Sequence, residues 1–461
     1  MRGAALRRSG GRGRTRAPAV LAAILASLAL VAGCSGAGAL GASEGVETVT
    51  VAIVSNPQME DAVSLAPQFE AANPGIRLRF VSLSENEARA KITASVATGG
   101  GEFDVVMVSN YETPQWAANG WLTDLQPFID GTPGYDAADF IPSVREALSY
   151  EGRMYSVPFY GESSFLMYRR DIFEQAGIQM PAQPTWPQIA EYAARLDQGE
   201  GQRRGICLRG KPGWGEMMAP LDTVINTFGG RWFDPQWRAQ LTSPEVRQAV
   251  QFYVDLVRTH GQPGASQSGF SECATQFGQG QVAMWYDATS AAGTVEDPAE
   301  STVAGRIGYA PAPVVATPSS GWLYSWSLGI PQTSPRKDAA WRFMSWMTSK
   351  EYIQLAGREV GWTSIPPGSR QSTYSVPEYQ QVAGAYAPLI LQGLQRANPQ
   401  QPTVQPVPYQ GIQFVRIPEF QDLGTRVSQQ ISAAIAGQIT VDEALEQSQN
   451  YAETVGESYQ R

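Results

Sequence analysis

Aromatic side chains outside helical core spacing are the groups in this chain that most favour binding chemistry. The 461-residue sequence has 12 tryptophans. Trp214 lies in the glycine-rich run 211–216, where no core pattern holds it, and Trp322, Tyr324 and Trp326 alternate along a predicted strand. Alternation places these three on one face, where they would either pack against a ligand's carbon atoms or be buried against a sheet. Both interpretations stand.

The sequence lacks the residues and motifs that several kinds of catalysis require. The single histidine, His260, lies at the predicted end of a helix, which favours a helix C-terminus over a catalytic base or a metal ligand. The sequence has no Cys-x-x-Cys or His-Glu-x-x-His motif and no phosphate loop ending in Gly-Lys-Ser/Thr. We therefore expect no metal site and no cofactor.

The first half of the chain alternates predicted strands, at 49–54, 76–81 and 103–108, with predicted helices. This order predicts an α/β fold with a parallel sheet covered by helices on both faces. Ligands bind off the carboxyl ends of such strands, which singles out 55–58, 84–87 and 109–112. From these segments we select Asn56, Gln58, Tyr111 and Glu112 as ligand-binding candidates, although Asn56-Pro57 is equally a turn that starts a helix.

The N-terminal segment indicates export and membrane attachment. Six arginines precede an apolar run from 17 to 32 that is short for a permanent membrane span. The run ends in LVAGC, residues 30–34, which resembles a bacterial lipobox. We predict a signal peptide over 1–33, a lipid on Cys34 and a flexible tether over 34–45, so that the protein is extracytoplasmic and anchored to the cell membrane. An ordinary signal peptide with an incidental cysteine is the alternative.

The charge balance excludes two classes of partner. Loss of six arginines with the signal would take the formal net charge from −9 to −15. An acidic body disfavours nucleic acid and an anionic membrane surface, so we expect membrane contact through the lipid only. The remaining cysteines, Cys207 and Cys273, would either pair in an oxidising compartment or remain buried thiols.

Long blocks of the sequence resemble the extracellular sugar-binding proteins of ABC transporters. These are GRMYSVPFYGESSFLMYRRDIFEQAGI from Gly152, TWPQIAEYAARL from Thr185, FGQGQVAMWYDA from Phe277 and GIPQTSPRKDAAWRFMSWMTS from Gly329. Other blocks resemble the sorbitol/mannitol branch of that family: YETPQWAANGWL from Tyr111, PFYGESS from Pro158, CLRGKPGWGE from Cys207, WYDAT from Trp285, GWTSIPPGSR from Gly361 and VPYQGIQFVRIPEFQ from Val407.

The resemblance implies a two-lobed fold of the maltose-binding-protein type, with a ligand cleft between lobes that close about a hinge. On this basis we assign 46–157 and 288–330 to an N-terminal lobe, and 158–287 and 331–461 to a C-terminal lobe. The resemblance also places Cys207 and Cys273 in one lobe, which predicts a disulfide between them.

A polyol ligand needs hydrogen-bonding partners for its hydroxyls and aromatic surface for its carbons. Asp287, at one crossover between lobes, is the first choice as acceptor, with a helix N-cap as the alternative. The other candidates for the cleft are Tyr160, Glu162, Arg209, Trp214, Trp322, Trp326 and Trp362. Glu162 is alternatively an exposed turn residue, and Arg209 is alternatively the partner of an acid.

The resemblance thus implies a monomeric receptor that captures a sugar alcohol and delivers it to the permease subunits of an ABC importer. A receptor for another carbohydrate, such as a disaccharide, is the nearest alternative. Paired acids with tryptophans also build glycosidase sites, but the chain shows neither eight βα units nor repeats. We therefore do not expect an enzyme.

Overall fold

Two β-sheets organise the part of the chain that the computed structural model describes, residues 45–460. The predicted signal peptide, the lipid site Cys34 and the tether up to residue 44 lie outside the described residues. The strands are β1 Glu47–Val54, β2 Ile76–Leu83, β3 Val105–Ser109, β4 Ser149–Tyr150, β5 Arg153–Met154, β6 Ser156–Glu162, β7 Ser164–Arg169, β8 Arg204–Cys207, β9 Val282–Ala288, β10 Ile307–Pro311 and β11 Tyr324–Gly329.

Helices cover both sheets. They are α1 Pro57–Ala72, α2 Glu85–Ala97, α3 Glu112–Ala118, α4 Gln126–Asp130, α5 Pro142–Ala147, α6 Arg170–Gln175, α7 Trp186–Leu196, α8 Met218–Thr227, α9 Pro244–His260, α10 Phe270–Gly278, α11 Ala291–Glu296, α12 Lys337–Met347, α13 Lys350–Glu359, α14 Pro377–Ala383, α15 Ala387–Arg396, α16 Phe420–Ile435 and α17 Val441–Glu457. Short 3₁₀ helices occur at Ala137–Asp139, Ala265–Gln267 and Gln371–Ser375.

The first sheet has the strand order β2-β1-β3-β11-β6. Strands β1, β2 and β3 are parallel, and β11 runs antiparallel to both β3 and β6. Residues 49–54 of β1 are buried, since helices α2 and α12 pack against this strand. Burial on both faces explains why the strand reads as a continuous apolar run. We call this sheet and the helices packed on it the first lobe.

The second sheet has the order β10-β7-β9-β8, with β8 and β9 parallel and the other pairs antiparallel. Helices α7, α9 and α10 pack against β8, and α16 and α17 pack against α9. Thr185 caps α7 through the capping box that its sequence predicts. This sheet and its helices form the second lobe, and Cys207 and Cys273 within it form the predicted disulfide, with 5.7 Å between their Cα atoms.

The structure differs from the predicted division of the chain between the two lobes. The differences concern the boundary at 157/158 and the segments 288–330 and 331–461. Strand β6 remains in the first sheet up to Glu162, so the chain crosses between sheets at Ser163. Strand β10 pairs with β7 of the second sheet, although 288–330 was assigned to the N-terminal lobe. Helix α12 packs on α1 and β1, although 331–461 was assigned to the C-terminal lobe. The strands cross between the sheets after β6 and again between β10 and β11, and a strand's own sequence does not say which sheet it joins.

Candidate functional site

A cavity of ≈ 490 Å³ lies between the two lobes, at the carboxyl ends of β1 and β2. This is the edge that the strand-end rule selects. Seven of the predicted ligand residues line the cavity: Asn56, Gln58, Tyr160, Glu162, Arg209, Trp322 and Trp326. The lining does not include the other five, which are Tyr111, Glu112, Trp214, Asp287 and Trp362.

Asp287, the first choice as ligand contact, is instead engaged by the protein itself. Its two carboxylate oxygens accept hydrogen bonds from Arg209 Nε at 2.8 Å and Arg209 Nη2 at 2.5 Å. Trp285 Nε1 and the Ala288 backbone N–H also donate to it, at 3.1 and 2.7 Å. Asp287 is fully buried. Four donors leave this carboxylate little capacity for a ligand, so we correct its role to that of holding Arg209.

Arg209 connects this ion pair to the glycine-rich loop of the second lobe. Its Nη1 lies 3.4 Å from the Gly215 carbonyl oxygen and 3.4 Å from Glu216 Oε2. Burial lowers the pKa of Arg209, but the charge of Asp287 and its hydrogen bonds outweigh that effect and leave the pKa raised. The predicted alternative, a pairing of Arg209 with an acid, is therefore present, and Arg209 also forms part of the cavity wall.

Glu162 is one of the acids that line the cavity. Its Oε2 accepts a hydrogen bond from Ser290 Oγ at 2.5 Å, while its Oε1 has no hydrogen-bond donor among residues 45–460. Burial raises the pKa of Glu162 to about 7, against the lowering effects of the Ser290 hydrogen bond and the Arg209 charge. Near neutral pH this carboxyl can therefore donate or accept a hydrogen bond.

The N-terminus of α1 places two amides at the cavity. Asn56 both caps the helix, by accepting from the Met59 backbone N–H, and donates from Nδ2 to Tyr160 Oη at 3.1 Å. Gln58 donates from Nε2 to the Ser290 carbonyl oxygen across the cleft at 3.2 Å. Asn56 therefore starts helix α1, as the turn interpretation predicts, and its side chain also lines the cavity.

Three aromatic residues near the start of β11 form one side of the cavity. Tyr324 and Trp326 lie in the strand, with ring centroids 5.3 Å apart, while Trp322 lies just before it. The register of β11 on β6 shifts after Trp326, a bulge of the kind often found beside binding sites. The Nε1 of Trp322 is buried and has no hydrogen-bond partner within residues 45–460. A buried donor without a partner is unfavourable.

Arg89 of α2 lies behind this aromatic side. Its guanidinium carbon is 4.3 Å from the Trp214 ring centroid and 4.4 Å from that of Trp326. Its Nη2 donates to Tyr324 Oη at 2.6 Å and to Glu85 Oε1 at 2.8 Å. Burial lowers the pKa of Arg89, but Tyr324 and Glu85 outweigh it and leave the pKa raised.

The remaining predicted residues serve packing. Trp214 packs on Arg89 and lies 5.0 Å, ring to ring, from Tyr111, whose hydroxyl donates to the Ile417 carbonyl oxygen. Glu112 is buried, accepts from the Ser109 backbone N–H and pairs with Arg89 at 3.4 Å. Trp362 lies over Gly357 of α13, where an added Cβ would meet its ring at 2.6 Å.

Comparisons with known proteins show the family of this chain. Residues 56–354 match the model of the bacterial extracellular solute-binding protein family. The chain belongs to this family. It is 45% identical over 404 residues to the mannitol-binding protein of Pseudomonas aeruginosa. The aligned region covers 87% of this chain and 92% of that protein.

Two solved structures resemble this solute-binding protein. One is an ABC transporter solute-binding protein of Agrobacterium vitis with bound D-mannitol, 46% identical, with a TM-score of 0.88 over 90% of this chain and 99% of that chain. The other, from Agrobacterium radiobacter in complex with ribitol, is 24% identical with a TM-score of 0.79 over 89% and 99% of the two chains, and shows the fold alone. The predicted family and the predicted two-lobed α/β fold are confirmed.

Sequence reasoning about this solute-binding protein missed Arg89, Glu85 and Phe414, all of which line the cavity. Glu85 lies in the segment 84–87 that the strand-end rule selects, and Arg89 follows it by one helical turn. The Glu85–Arg89 spacing of four is also that of an ordinary exposed helix pair, so sequence alone gives no reason to place Arg89 in a buried site.

The cavity wall combines both signs of charge with aromatic surface. Glu85, Glu162 and Glu216 face Arg89, Arg209 and Lys211. Burial raises the pKa of Glu216, and the nearby charge of Glu85 raises it further. Such a wall suits a neutral ligand with many hydroxyls better than a strongly charged one.

Two further observations on the described residues concern metal ligands and membrane spans. Within residues 45–460, no three His, Cys, Asp or Glu side chains are placed to hold a metal ion together. No helix in that part is long and apolar enough to cross a bilayer.

Proposed function

We propose that this solute-binding protein captures a neutral sugar alcohol of the mannitol type and delivers it to the permease of an ABC importer. The observation that carries the proposal is the likeness, in sequence and fold, to a solute-binding protein with bound D-mannitol. The likeness to a curated mannitol-binding protein supports it independently of the structure.

The chemistry of the cavity supports the same ligand class. An open-chain polyol presents hydroxyls that each donate and accept, separated by C–H groups. The free Oε1 of Glu162 and the unpartnered N–H of Trp322 offer one acceptor and one donor, and the rings of Trp322 and Trp326 offer apolar surface. The ligand is neutral, so its affinity would depend only weakly on salt.

The protein binds its ligand without converting it. A glycosidase would need two available carboxyls, one on each side of the scissile bond. Asp287 is saturated by four donors and is fully buried, and Glu85 and Glu216, which also line the cavity, are each paired with an arginine.

Calorimetric titration of the purified protein with D-mannitol tests the proposal. D-Sorbitol, ribitol and maltose serve as comparisons. We expect the polyols to bind, to raise the unfolding temperature through linkage and to be recovered unchanged. Preferential binding of maltose would support the alternative carbohydrate receptor, and turnover of any sugar would contradict the binding function.

We also propose that a lipid on Cys34 anchors the protein, which otherwise acts as a monomer outside the cytoplasm. The support is the sequence 30–34 and the basic, apolar segment before it. Stable attachment requires about two acyl chains, which a modified N-terminal cysteine would carry. The wild type should enter the detergent phase on phase separation and Cys34→Ala should not. Equal partitioning of the two would contradict the lipid site.

A further inference from the structure

Arg89 is the point at which the two lobes meet beside the cavity. It belongs to α2 of the first lobe, yet its guanidinium lies over Trp214 of the second lobe as well as over Trp326 of its own lobe. The same guanidinium donates to Tyr324 and pairs with Glu85 and Glu112. Its side chain is only 4% exposed.

The loop that carries Trp214 is shaped for this contact. It approaches α2 so closely that a Cβ on Gly215 would lie 2.5 Å from Arg89 Nε and 2.8 Å from Glu85 Oε1. A Cβ on Gly213 would lie 2.6 Å from Asn86 Oδ1, and Asn86 Nδ2 donates to the Pro212 carbonyl oxygen at 3.2 Å. Glycine at both positions allows the backbone of one lobe to touch the side chains of the other.

The loop is also tied to the buried ion pair of the second lobe, because Arg209 contacts the Gly215 carbonyl oxygen while Asp287 holds Arg209. A connected set of contacts therefore runs from Asp287 through Arg209 and the loop to Arg89. From Arg89 it continues to Tyr324 and Trp326, which form the aromatic side of the cavity.

We propose that Arg89 is a positioning residue for ligand binding, through which the docking of the 211–216 loop fixes the aromatic side of the cavity. The proposal rests on the proposed polyol-binding function and goes beyond it. With the lobes together, Trp214 covers Arg89, and Arg89 in turn holds Tyr324 and Trp326 in place for the ligand. With the lobes apart, Arg89 loses Trp214, and the aromatic side loses the group that fixes it. Ligand affinity is thereby coupled to this one contact between lobes.

The decisive variant is Gly215→Ala, because the atoms nearest to its added methyl group belong to Arg89 and Glu85 of the opposite lobe. We expect the affinity for D-mannitol to fall roughly tenfold, since a desolvated cation–π contact and the shape of the closed site are both disturbed. The ligand-induced decrease in radius of gyration should shrink in parallel, while the unfolding temperature without ligand stays at the wild-type value. Gly278→Ala is the matched control, since its Cβ would meet only Ser301 at an ordinary 3.6 Å.

Arg89→Lys provides a second test that keeps the charge and removes the planar guanidinium. We expect weaker mannitol binding and a changed tryptophan fluorescence response to mannitol. Unchanged affinity and unchanged compaction in both folded variants would overturn the role of Arg89. If Arg89→Lys fails to fold, Gly215→Ala alone decides. Absence of mannitol binding by the wild type would instead contradict the proposed function.

Discussion

Two pairs of an acid and an indole, Asp287 with Trp285 buried behind Arg209 and Glu162 with Trp322 in the cavity lining, differ in whether the protein satisfies their hydrogen bonds. Asp287 and the Trp285 N–H bond to each other, and Arg209 and a backbone N–H complete the group. Glu162 has one hydrogen bond and a free oxygen, and the Trp322 N–H has no partner within residues 45–460. The first group holds the wall together, whereas the second retains hydrogen-bonding capacity for a ligand. Being an acid near a crossover does not distinguish the two roles; the number of donors already in place does.

The largest effect should come from breaking the satisfied group. Asp287→Ala leaves Arg209 buried without its partner, and we expect the free energy of unfolding to fall by about 3–5 kcal/mol. Urea unfolding measures this loss. Adding Arg209→Met should recover much of it, because the uncompensated charge is then removed. A variant of normal stability that binds mannitol poorly would return Asp287 to the role of ligand contact.

The disulfide offers a change in stability that leaves the cavity untouched. Cys207 and Cys273 lie outside the cavity lining, and their bond closes a loop of 66 residues in sequence. Replacing both with alanine should lower the free energy of unfolding by about 2–4 kcal/mol. Mannitol affinity, measured well below the unfolding temperature, should be that of the wild type. A parallel loss of affinity would show that the cavity depends on the rigidity of the second lobe.

Glu162, the acid with a free oxygen, should make the stability of the protein depend on pH. Glu162 has a pKa raised to about 7 in the folded protein, against an ordinary value of 4.5, so the folded state binds its proton more tightly. Its contribution is full below pH 4.5 and is lost as the pH rises toward 7, with a slope of at most about 1.4 kcal/mol per pH unit.

The difference in unfolding free energy between wild type and Glu162→Gln, measured without ligand across this range, isolates the effect. The glutamine keeps the shape and does not titrate. We expect wild-type stability to decline relative to the variant as the pH rises. A difference that stays constant with pH would show that burial does not raise the pKa of the Glu162 carboxyl.

The sequence predicted the parts of this molecule that depend on local pattern. Strand ends selected Asn56 and Gln58, the alternation along 322–326 selected the aromatic side of the cavity, and a capping box placed the start of α7. These features need only neighbours in the chain. The shared lobe of Cys207 and Cys273, by contrast, came from the family resemblance.

What the sequence could not show depends on distant partners. The donors that saturate Asp287 include Arg209, which is 78 positions away in sequence. Sequence reasoning therefore assigns Asp287 to the ligand instead of to Arg209. Arg89 was missed because its contact with Trp214 exists only when the lobes meet. Strand β10 likewise belongs to the second sheet because it pairs with β7. No property of residues 307–311 predicts this pairing.

The smallest expected effect concerns the two indoles. Trp322→Phe retains an aromatic ring and removes the unpartnered N–H, so mannitol binding should weaken by about 0.5–1.5 kcal/mol, the usual net value of one hydrogen bond. This corresponds to a roughly two- to tenfold rise in Kd, which calorimetry resolves. Trp322→Phe also leaves a small cavity, so unliganded stability should fall by the packing loss alone. Trp285→Phe should lose similar volume and, in addition, the hydrogen bond to Asp287, which predicts a larger loss of stability with unchanged mannitol affinity. If Trp322→Phe binds mannitol as tightly as the wild type, the Trp322 N–H does not contact the ligand. Of the two unsatisfied side chains, Glu162 alone would then be available to the ligand.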